Sequence, residues 1–255
     1  MKNIILAILI FLPIIGLSQE SKTSDFFSQI QKYDISDLWT SEKFQIELDP
    51  ELVPKSRPIG YIGEKYQRIF VKLISAIQNP NDKTEYFIYG KTKVKQNICT
   101  FQGTIRIKIS RTYDIGDVPN LTQGYVKGEY IFYEDPDQKG TGTFKGEFKT
   151  AFFINENGEI KYDALSFVAD GFKNNQFEGT WTSYKSQSVK TCNWGDYRIP
   201  NSNELDGGAG EFSPMEEYAD NGWKNYRIAF GYSEETPKVR EALKRETEKW
   251  WLENK

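Results

Sequence analysis

The chemistry open to this chain is limited by its residue types, because none of its 255 residues is a histidine. Without an imidazole, Ser-His-Asp and Cys-His nucleophile systems and histidine-bearing zinc sites are excluded. Carboxylates, tyrosines, lysines and arginines remain as groups that could transfer protons. Many of them lie between Cys192 and Trp223, in a stretch without strand or helix periodicity. Long irregular stretches that are ordered are often functional.

Oxygen-bearing side chains in this stretch suggest a metal site. Asn203, Asp206 and Glu211 flank a glycine-rich run at residues 207–210. Calcium takes about six to eight oxygen ligands at no fixed sequence spacing, although the order of an EF-hand loop is absent here. The alternative is a solvated loop in which Asn, Asp and Gly residues form turns. The sequence therefore leaves two hypotheses, no cofactor or a calcium ion held by these three residues.

Acidic and aromatic residues also suggest glycan chemistry. A glycoside hydrolase needs two carboxyl groups that flank the scissile bond. The candidate carboxylates are Glu178, Asp196, Asp206 and Glu211, and the candidate ligand-binding aromatic residues are Trp194, Tyr197 and Trp223. Sequence spacing does not test whether two of these carboxyl groups converge on one pocket. The simpler interpretation places Glu178 on an outer strand face and the tryptophans in the packing of the sheet or helix.

The first residues are typical of a secretory signal peptide. Lys2 precedes an apolar run over residues 4–17, and Ser18 offers a small residue at a cleavage site. The run is shorter than the roughly 20 apolar residues that a membrane span needs, although an uncleaved anchor is the alternative. We therefore predict a signal peptide at residues 1–18, no membrane span after cleavage, and a secreted or periplasmic protein.

Export bears on the two cysteines, Cys99 and Cys192. Exported proteins reside in oxidising compartments, where a lone pair of cysteines is best interpreted as a structural disulfide. The alternative is a redox-active pair, but such pairs usually lie close together in a Cys-x-x-Cys motif. The sequence therefore predicts a Cys99–Cys192 disulfide.

The composition is that of an ordinary globular chain. The sequence is 38% hydrophobic and 27% charged, with a formal charge of −3, so nothing in it calls for a nucleic-acid partner. Aromatic residues make up 15%, which favours strands. No linker divides residues 19–255, and we predict a single β-rich domain.

A repeated glycine pattern predicts how that domain is shaped. An apolar residue, a spacer, a glycine, a spacer and a second apolar residue recur four times, at Phe101-Gly103-Ile105, Val126-Gly128-Tyr130, Phe144-Gly146-Phe148 and Phe177-Gly179-Trp181. In a strand each glycine falls on the same face as its apolar neighbours, where it marks a bend or a close approach. We predict a mainly β fold in which an antiparallel meander of about eight strands closes as a soluble β-barrel or a half-open sandwich.

The remaining segments are assigned around this meander. Residues 19–57 form an N-terminal strap with a short helix near residues 24–32, and residues 58–191 form the meander. Residues 192–223 form a long loop, residues 224–232 one more strand, and residues 236–252 a C-terminal helix that Thr236 caps. We expect the loop and the helix to cover one end of the sheet.

These observations favour a binding protein over an enzyme. The hypothesis is a non-enzymatic binding or envelope-associated module that holds an apolar molecule, a glycan or a protein partner at the covered end of the sheet. The alternative is a carboxylate-dependent glycan hydrolase. A structural surface protein is a third possibility, and it would have no pocket.

Overall fold

A computed structural model describes residues 22–46, 52–231 and 234–252 of the chain. The predicted signal peptide at residues 1–18 lies outside the described residues. No helix in the described ranges is long and apolar enough to cross a membrane. The strands are β1 (Thr23–Asp25), β2 (Lys43–Gln45), β3 (Leu52–Pro54), β4 (Ile59–Ile62), β5 (Gln67–Asn79), β6 (Asp82–Val94), β7 (Asn97–Tyr113), β8 (Thr122–Glu134), β9 (Gly142–Ile154), β10 (Ile160–Tyr162), β11 (Asn174–Ser183) and β12 (Val189–Asp196). The α-helices are α1 (Phe27–Ile30), α2 (Asp37–Thr40), α3 (Lys224–Phe230) and α4 (Pro237–Glu246).

Eight of these strands form a closed antiparallel ring. The order of hydrogen-bonded neighbours around the ring is β4, β5, β6, β7, β8, β9, β11 and β12. Strand β12 pairs with β4, which closes the ring. The ring confirms the predicted meander and shows that it closes as a barrel. The closing pair brings Gly60 opposite Trp194, residues far apart in the sequence.

The glycine pattern is explained by close backbone approach inside this ring. All four glycines lie in ladders, and Gly146 of β9 lies directly opposite Gly179 of β11. A Cβ atom on Gly146 would lie 2.0 Å from the carbonyl oxygen of Glu178. On Gly128 it would lie 1.9 Å from the carbonyl oxygen of Arg106. No side chain fits at such distances, so these glycines allow the strongly coiled strands that a small barrel requires.

The interior of the barrel is filled mainly by aromatic side chains. Among the buried rings are those of Phe101, Tyr130, Phe132, Phe144, Phe148, Phe177 and Trp194. The inward alternation on β7 holds as far as Ile107, where a bulge opposite β8 interrupts it. As a result Ser110 is buried, whereas the side chain of Ile109, predicted to face inward, is 43% exposed.

One end of the barrel is filled by the N-terminal segment, and residues of the long loop and of the C-terminal segment border the same end. Trp39 of α2 lies inside this end, its ring 5.0 Å from that of Tyr86 and 5.8 Å from that of Phe148. The helix predicted near residues 24–32 is shortened to α1, because residues 23–25 pair with β7 as strand β1. We call this end of the barrel the mouth.

The long loop and the segment that follows it are arranged differently from the prediction. Residues 192–196 belong to β12, and the rest of the loop packs on the outer face of β4, where Ile59 and Tyr61 join Leu205, Phe212 and Trp223 in a second apolar cluster. The strand predicted at residues 224–232 is wrong, because residues 224–230 form helix α3. Helical spacing brings Trp223, Tyr226 and Phe230 together, with ring centroids 6.1 Å and 4.6 Å apart.

The C-terminal helix is confirmed in its first part. The hydroxyl of Thr236 accepts a hydrogen bond from the amide of Val239 at 3.2 Å, which caps α4 as expected. The helix ends at Glu246, and the chain then makes a separate turn of 3-10 helix at Trp250–Leu252. Helix α4 lies against α3.

The predicted disulfide is wrong. Cys99 and Cys192 are both buried as free thiols and are not within bonding distance of each other. Cys99 lies on β7 and Cys192 on β12, and three strands separate β7 from β12 in either direction around the ring. The two cysteines are therefore on opposite walls of the barrel, with its aromatic interior between them.

Candidate functional site

A cavity of about 730 Å³ lies at the mouth, where strand β4 is too short to cover its neighbour. β4 pairs with residues 67–69 of β5 only, whereas β5 continues to Asn79. Residues 70–73 of β5 therefore have no strand partner on this side of the ladder, and they line the cavity. The other walls come from residues 54–59, 167–172, 210–212 and 243–251, with parts of β11, β12 and α3. We call this space the mouth cavity.

The walls of the mouth cavity are largely aromatic. Trp39, Phe177 and Trp194 line it from the barrel interior, where the rings of Phe177 and Trp194 stack with centroids 5.0 Å apart. Phe172 and Tyr197 line the outer side, with ring centroids also 5.0 Å apart. Its volume lies within the range of about 300 to 1,000 Å³ typical of small-molecule sites.

A buried carboxylate lies at the base of the mouth cavity. Asp196 is 0% exposed, and its Oδ2 atom accepts two hydrogen bonds and takes part in an ion pair. The hydrogen-bond donors are the Tyr162 hydroxyl at 3.0 Å and Asn175 Nδ2 at 2.8 Å, and the paired cation is Lys55 Nζ at 3.0 Å. The Lys55 side chain is 6% exposed, and its ammonium group lies 4.3 Å from the centre of the Tyr162 ring. The other oxygen of Asp196, Oδ1, accepts no hydrogen bond from the described residues.

A bulge in β11 positions Asn175 next to Asp196. The pairing register with β12 shifts between Asn174 and Phe177, and Asn175 has a left-handed backbone with φ of 47°. Asparagine tolerates this conformation better than most residues. The Asn175 amide also donates to the carbonyl of Leu38 and accepts from the hydroxyl of Thr150. The bulge therefore ties the N-terminal segment to Asp196.

Two tyrosines close to Asp196, Tyr162 and Tyr197, keep their protons at neutral pH. Burial, followed by the charge of Asp196, raises the pKa of Tyr162 well above its usual value, so its hydroxyl remains a donor at neutral pH. Burial likewise raises the pKa of Tyr197. The Lys55–Asp196 pair is thus surrounded by protonated phenols and an amide, and it carries no net charge.

A second buried ion pair attaches the C-terminal segment to the opposite wall. Arg68 of β5 binds Glu246 of α4 through two parallel hydrogen bonds of 2.7 and 2.5 Å. The Arg68 guanidinium also lies 4.3 Å from the ring centre of Phe70. Both Arg68 and Glu246 line the mouth cavity. The pair holds α4 against the barrel and adds no net charge to the wall.

The predicted aromatic contacts are found in two different places. Trp194 and Tyr197 both line the mouth cavity. Trp223 does not, because its ring is fully buried in the second apolar cluster, between Phe212 and Tyr226, and its indole nitrogen donates to the carbonyl of Tyr66. Trp223 therefore serves packing.

The predicted calcium ligands have different surroundings. Asp206 pairs with Arg198 at 2.8 Å and accepts hydrogen bonds from the amides of Gly208 and Ser213, which is the role of a turn residue. Glu211 is exposed and lines the mouth cavity, whereas Asn203 lines a separate groove on the outer face of the barrel. Within the described ranges no three acidic or cysteine side chains are grouped so as to hold a metal ion.

The candidate glycan-cleaving carboxylates are likewise divided. Glu178 lies in the outer groove, where it accepts a hydrogen bond of 2.6 Å from Asn201. The carboxylate of Asp206 forms an ion pair with Arg198. Asp196 and Glu211 alone among the four line the mouth cavity.

Sequence reasoning missed three of the residues that surround Asp196. Lys55 stands among prolines in the N-terminal strap, and nothing in that stretch indicates that its side chain enters the barrel. Tyr162 lies in the three-residue strand β10. The paired asparagines at 174 and 175 were the one available signal, since Asn before a strand often marks a left-handed bend.

Comparison with protein-family models, with curated proteins and with solved structures found no match to this chain. The functional assignment therefore rests on the geometry of the mouth cavity.

Proposed function

We propose that this protein is a secreted or periplasmic binding module that holds a small, mainly apolar molecule in the mouth cavity. The observation that carries the proposal is an aromatic cavity of about 730 Å³ with the buried Lys55–Asp196 pair at its base. Ligand sites combine apolar walls with a few fixed polar groups, and this cavity has both. The exported location rests on the predicted signal peptide.

Rigidity of the walls supports binding rather than a structural role. The ion pair of Lys55 fixes the strap, and that of Arg68 fixes the C-terminal helix, so both of these segments are held in place around the space. A preformed site loses less conformational entropy when it binds a ligand. A small molecule also suits this enclosed volume better than a protein partner does.

Fluorescence of N-phenyl-1-naphthylamine tests the proposal, because this dye emits strongly only in apolar surroundings. We expect saturable binding by the wild type and a rise in Tm on adding the dye. Ser56 is exposed and lines the cavity, so Ser56→Trp should fill part of it and weaken binding by about tenfold or more, a loss of about 1.4 kcal/mol.

The matched control is Ser188→Trp, an exposed serine in the turn before β12 that does not line the cavity. This variant should bind the dye as the wild type does. An absence of saturable binding by the wild type, or equal affinity in the Ser56 and Ser188 variants, would overturn the proposal.

A carboxylate-dependent glycan hydrolase is the second candidate. Its support is that Asp196 and Glu211 line the same cavity as Trp194 and Tyr197. Release of reducing ends from polysaccharides by the wild type, lost in Glu211→Gln, would favour this candidate over simple binding.

A further inference from the structure

We infer that the ligand of the mouth cavity is an uncharged molecule whose hydroxyl group binds the Lys55–Asp196 pair. The inference rests on the proposed function and names the chemical class of its ligand. In this arrangement the hydroxyl donates to Asp196 Oδ1 and accepts from the ammonium group of Lys55, while the apolar body of the ligand contacts the aromatic walls.

The first support is the unequal use of the two Asp196 oxygens. Oδ2 accepts hydrogen bonds from Tyr162 and Asn175 and pairs with the Lys55 ammonium group, whereas Oδ1 is enclosed without a donor from the described residues. An unpaired carboxylate oxygen in a buried site is costly, and a donor group brought by a ligand would remove that cost. The carboxylate borders the mouth cavity, so the donor can come from that side.

The second support is that the Lys55 ammonium group has fewer partners among the described residues than it has donors. A lysine has three N–H donors. One contacts Asp196 Oδ2 at 3.0 Å, and a second contacts the Leu38 carbonyl at the longer distance of 3.5 Å. The site therefore offers both an acceptor and a donor within a few ångströms. A hydroxyl group suits it because a hydroxyl both donates and accepts.

The charge balance at the base of the cavity selects against ions. Lys55 neutralises Asp196, and on the far wall Arg68 neutralises Glu246. A carboxylate ligand would approach Asp196 and an ammonium ligand would approach Lys55, so each would meet a like charge after losing its own hydration. Burial of an uncompensated charge is far more costly than burial of a hydroxyl.

A matched set of naphthalene compounds tests the inference by displacement of N-phenyl-1-naphthylamine from the wild type. The set consists of 2-naphthol, 2-methoxynaphthalene, 2-naphthoate and 2-naphthylmethylamine, measured at neutral pH. We expect 2-naphthol to bind about tenfold or more tightly than the methoxy compound, because only the naphthol can donate a hydrogen bond to the carboxylate. It should also bind more tightly than the anion and the cation.

A double variant tests the residues. Lys55→Met combined with Asp196→Asn removes both charges together, a change that folded proteins often tolerate. We expect it to lose the preference for 2-naphthol over 2-methoxynaphthalene. The control is Lys108→Met with Glu129→Gln, an exposed pair with its charged atoms 3.4 Å apart between β7 and β8, which should keep the preference.

The outcomes separate this inference from the proposed function. If the wild type fails to bind the dye, the proposed function fails. If it binds the dye but binds the naphthol and methoxy compounds equally, or binds either ion most tightly, the inference alone fails. These comparisons are made on the wild type, so the inference can be overturned even if the double variant does not fold.

Discussion

Two buried carboxylates lie at opposite ends of the barrel and differ in their partners. Asp196 at the mouth is paired with the cation of Lys55. Glu134 at the other end accepts hydrogen bonds from neutral donors: the Thr92 hydroxyl, the Gly142 amide and the Trp181 indole. These donors come from β6, β9 and β11, so Glu134 connects four strands of the barrel. The carboxylate of Glu134 thus joins strands through neutral donors, whereas that of Asp196 is paired with a cation beside the mouth cavity.

Glu134 should make stability depend on pH. Burial raises its pKa above the ordinary 4.5, although its three hydrogen bonds act in the opposite direction. Between the unfolded and folded pKa values the native state binds a proton that the unfolded state has lost, so the free energy of unfolding contributed by Glu134 falls as pH rises through that interval. Glu134→Gln should remove this dependence, as measured by urea unfolding from pH 4.5 upward.

The glutamine variant should otherwise stay within about 1 kcal/mol of the wild type, because a glutamine can accept from Gly142 and Trp181 and donate to Thr92. Glu134→Ala is the contrasting variant. It leaves the buried donors without an acceptor, which should lower the free energy of unfolding by about 1 to 3 kcal/mol for each donor. The alanine variant should therefore be much less stable at every pH. Equal pH profiles for the wild type and the glutamine variant would show that Glu134 does not titrate in this range.

At the scale of elements, the coiling of the strands depends on missing side chains. Gly146→Ala would place a Cβ atom 2.0 Å from the Glu178 carbonyl oxygen and 2.7 Å from the Gly179 Cα. Both are backbone atoms, so relief requires β9 and β11 to separate. We expect a loss of about 3 kcal/mol or more in the free energy of unfolding, at or beyond the upper end of overpacking effects.

The matched control for Gly146 is Gly158→Ala, in the turn between β9 and β10. Gly158 has a left-handed φ of 76° but no atom within 4 Å of an added Cβ. Its substitution should cost only about 1 to 2 kcal/mol, from backbone conformation alone. Comparable losses for the two variants in urea unfolding would contradict the close-approach explanation of the glycine pattern.

Strands and helices could be predicted from the sequence where a local pattern of residues was sufficient to determine them. The long strands follow from alternation, and the glycines of β7, β8, β9 and β11 follow from the same rule. Helix α3 has only seven residues, too few for the sequence to distinguish helical from strand periodicity, and in the fold its Tyr226 ring packs 5.5 Å from that of Phe212. Strand β4 was not recognised as a separate element, because its role as closing strand depends on β12, more than a hundred residues away.

At the scale of the whole molecule, the site could be predicted only in part. Trp194 and Tyr197 follow Cys192 in the stretch that lacks periodicity in the sequence, although residues up to Asp196 belong to strand β12. Lys55 reaches Asp196 only because β4 is short and the strap fills the resulting gap, and that is a property of the closed ring. The ring also keeps Cys99 and Cys192 apart, because the order of the strands, and not the distance in sequence, determines which side chains can meet.

The two thiols should therefore remain free even after export. Ellman's reagent should detect two thiols per chain in guanidinium chloride and react slowly with the native protein, because both side chains are buried. Burial, followed by the charge of Glu134, raises the pKa of Cys99 to about 12, and burial raises that of Cys192 well above its usual value. Little thiolate is then present at neutral pH to react.

A reductant should leave Tm unchanged, and Cys99→Ser should reduce the thiol count in denaturant by one. A disulfide would instead give no thiols and a Tm that falls on reduction. That result would require β7 and β12 to approach each other across the space that Tyr130, Phe132 and Trp194 occupy, and it would refute the ring order. Free thiols would mean that closure of the ring, together with its aromatic core, stabilises the protein without a covalent cross-link.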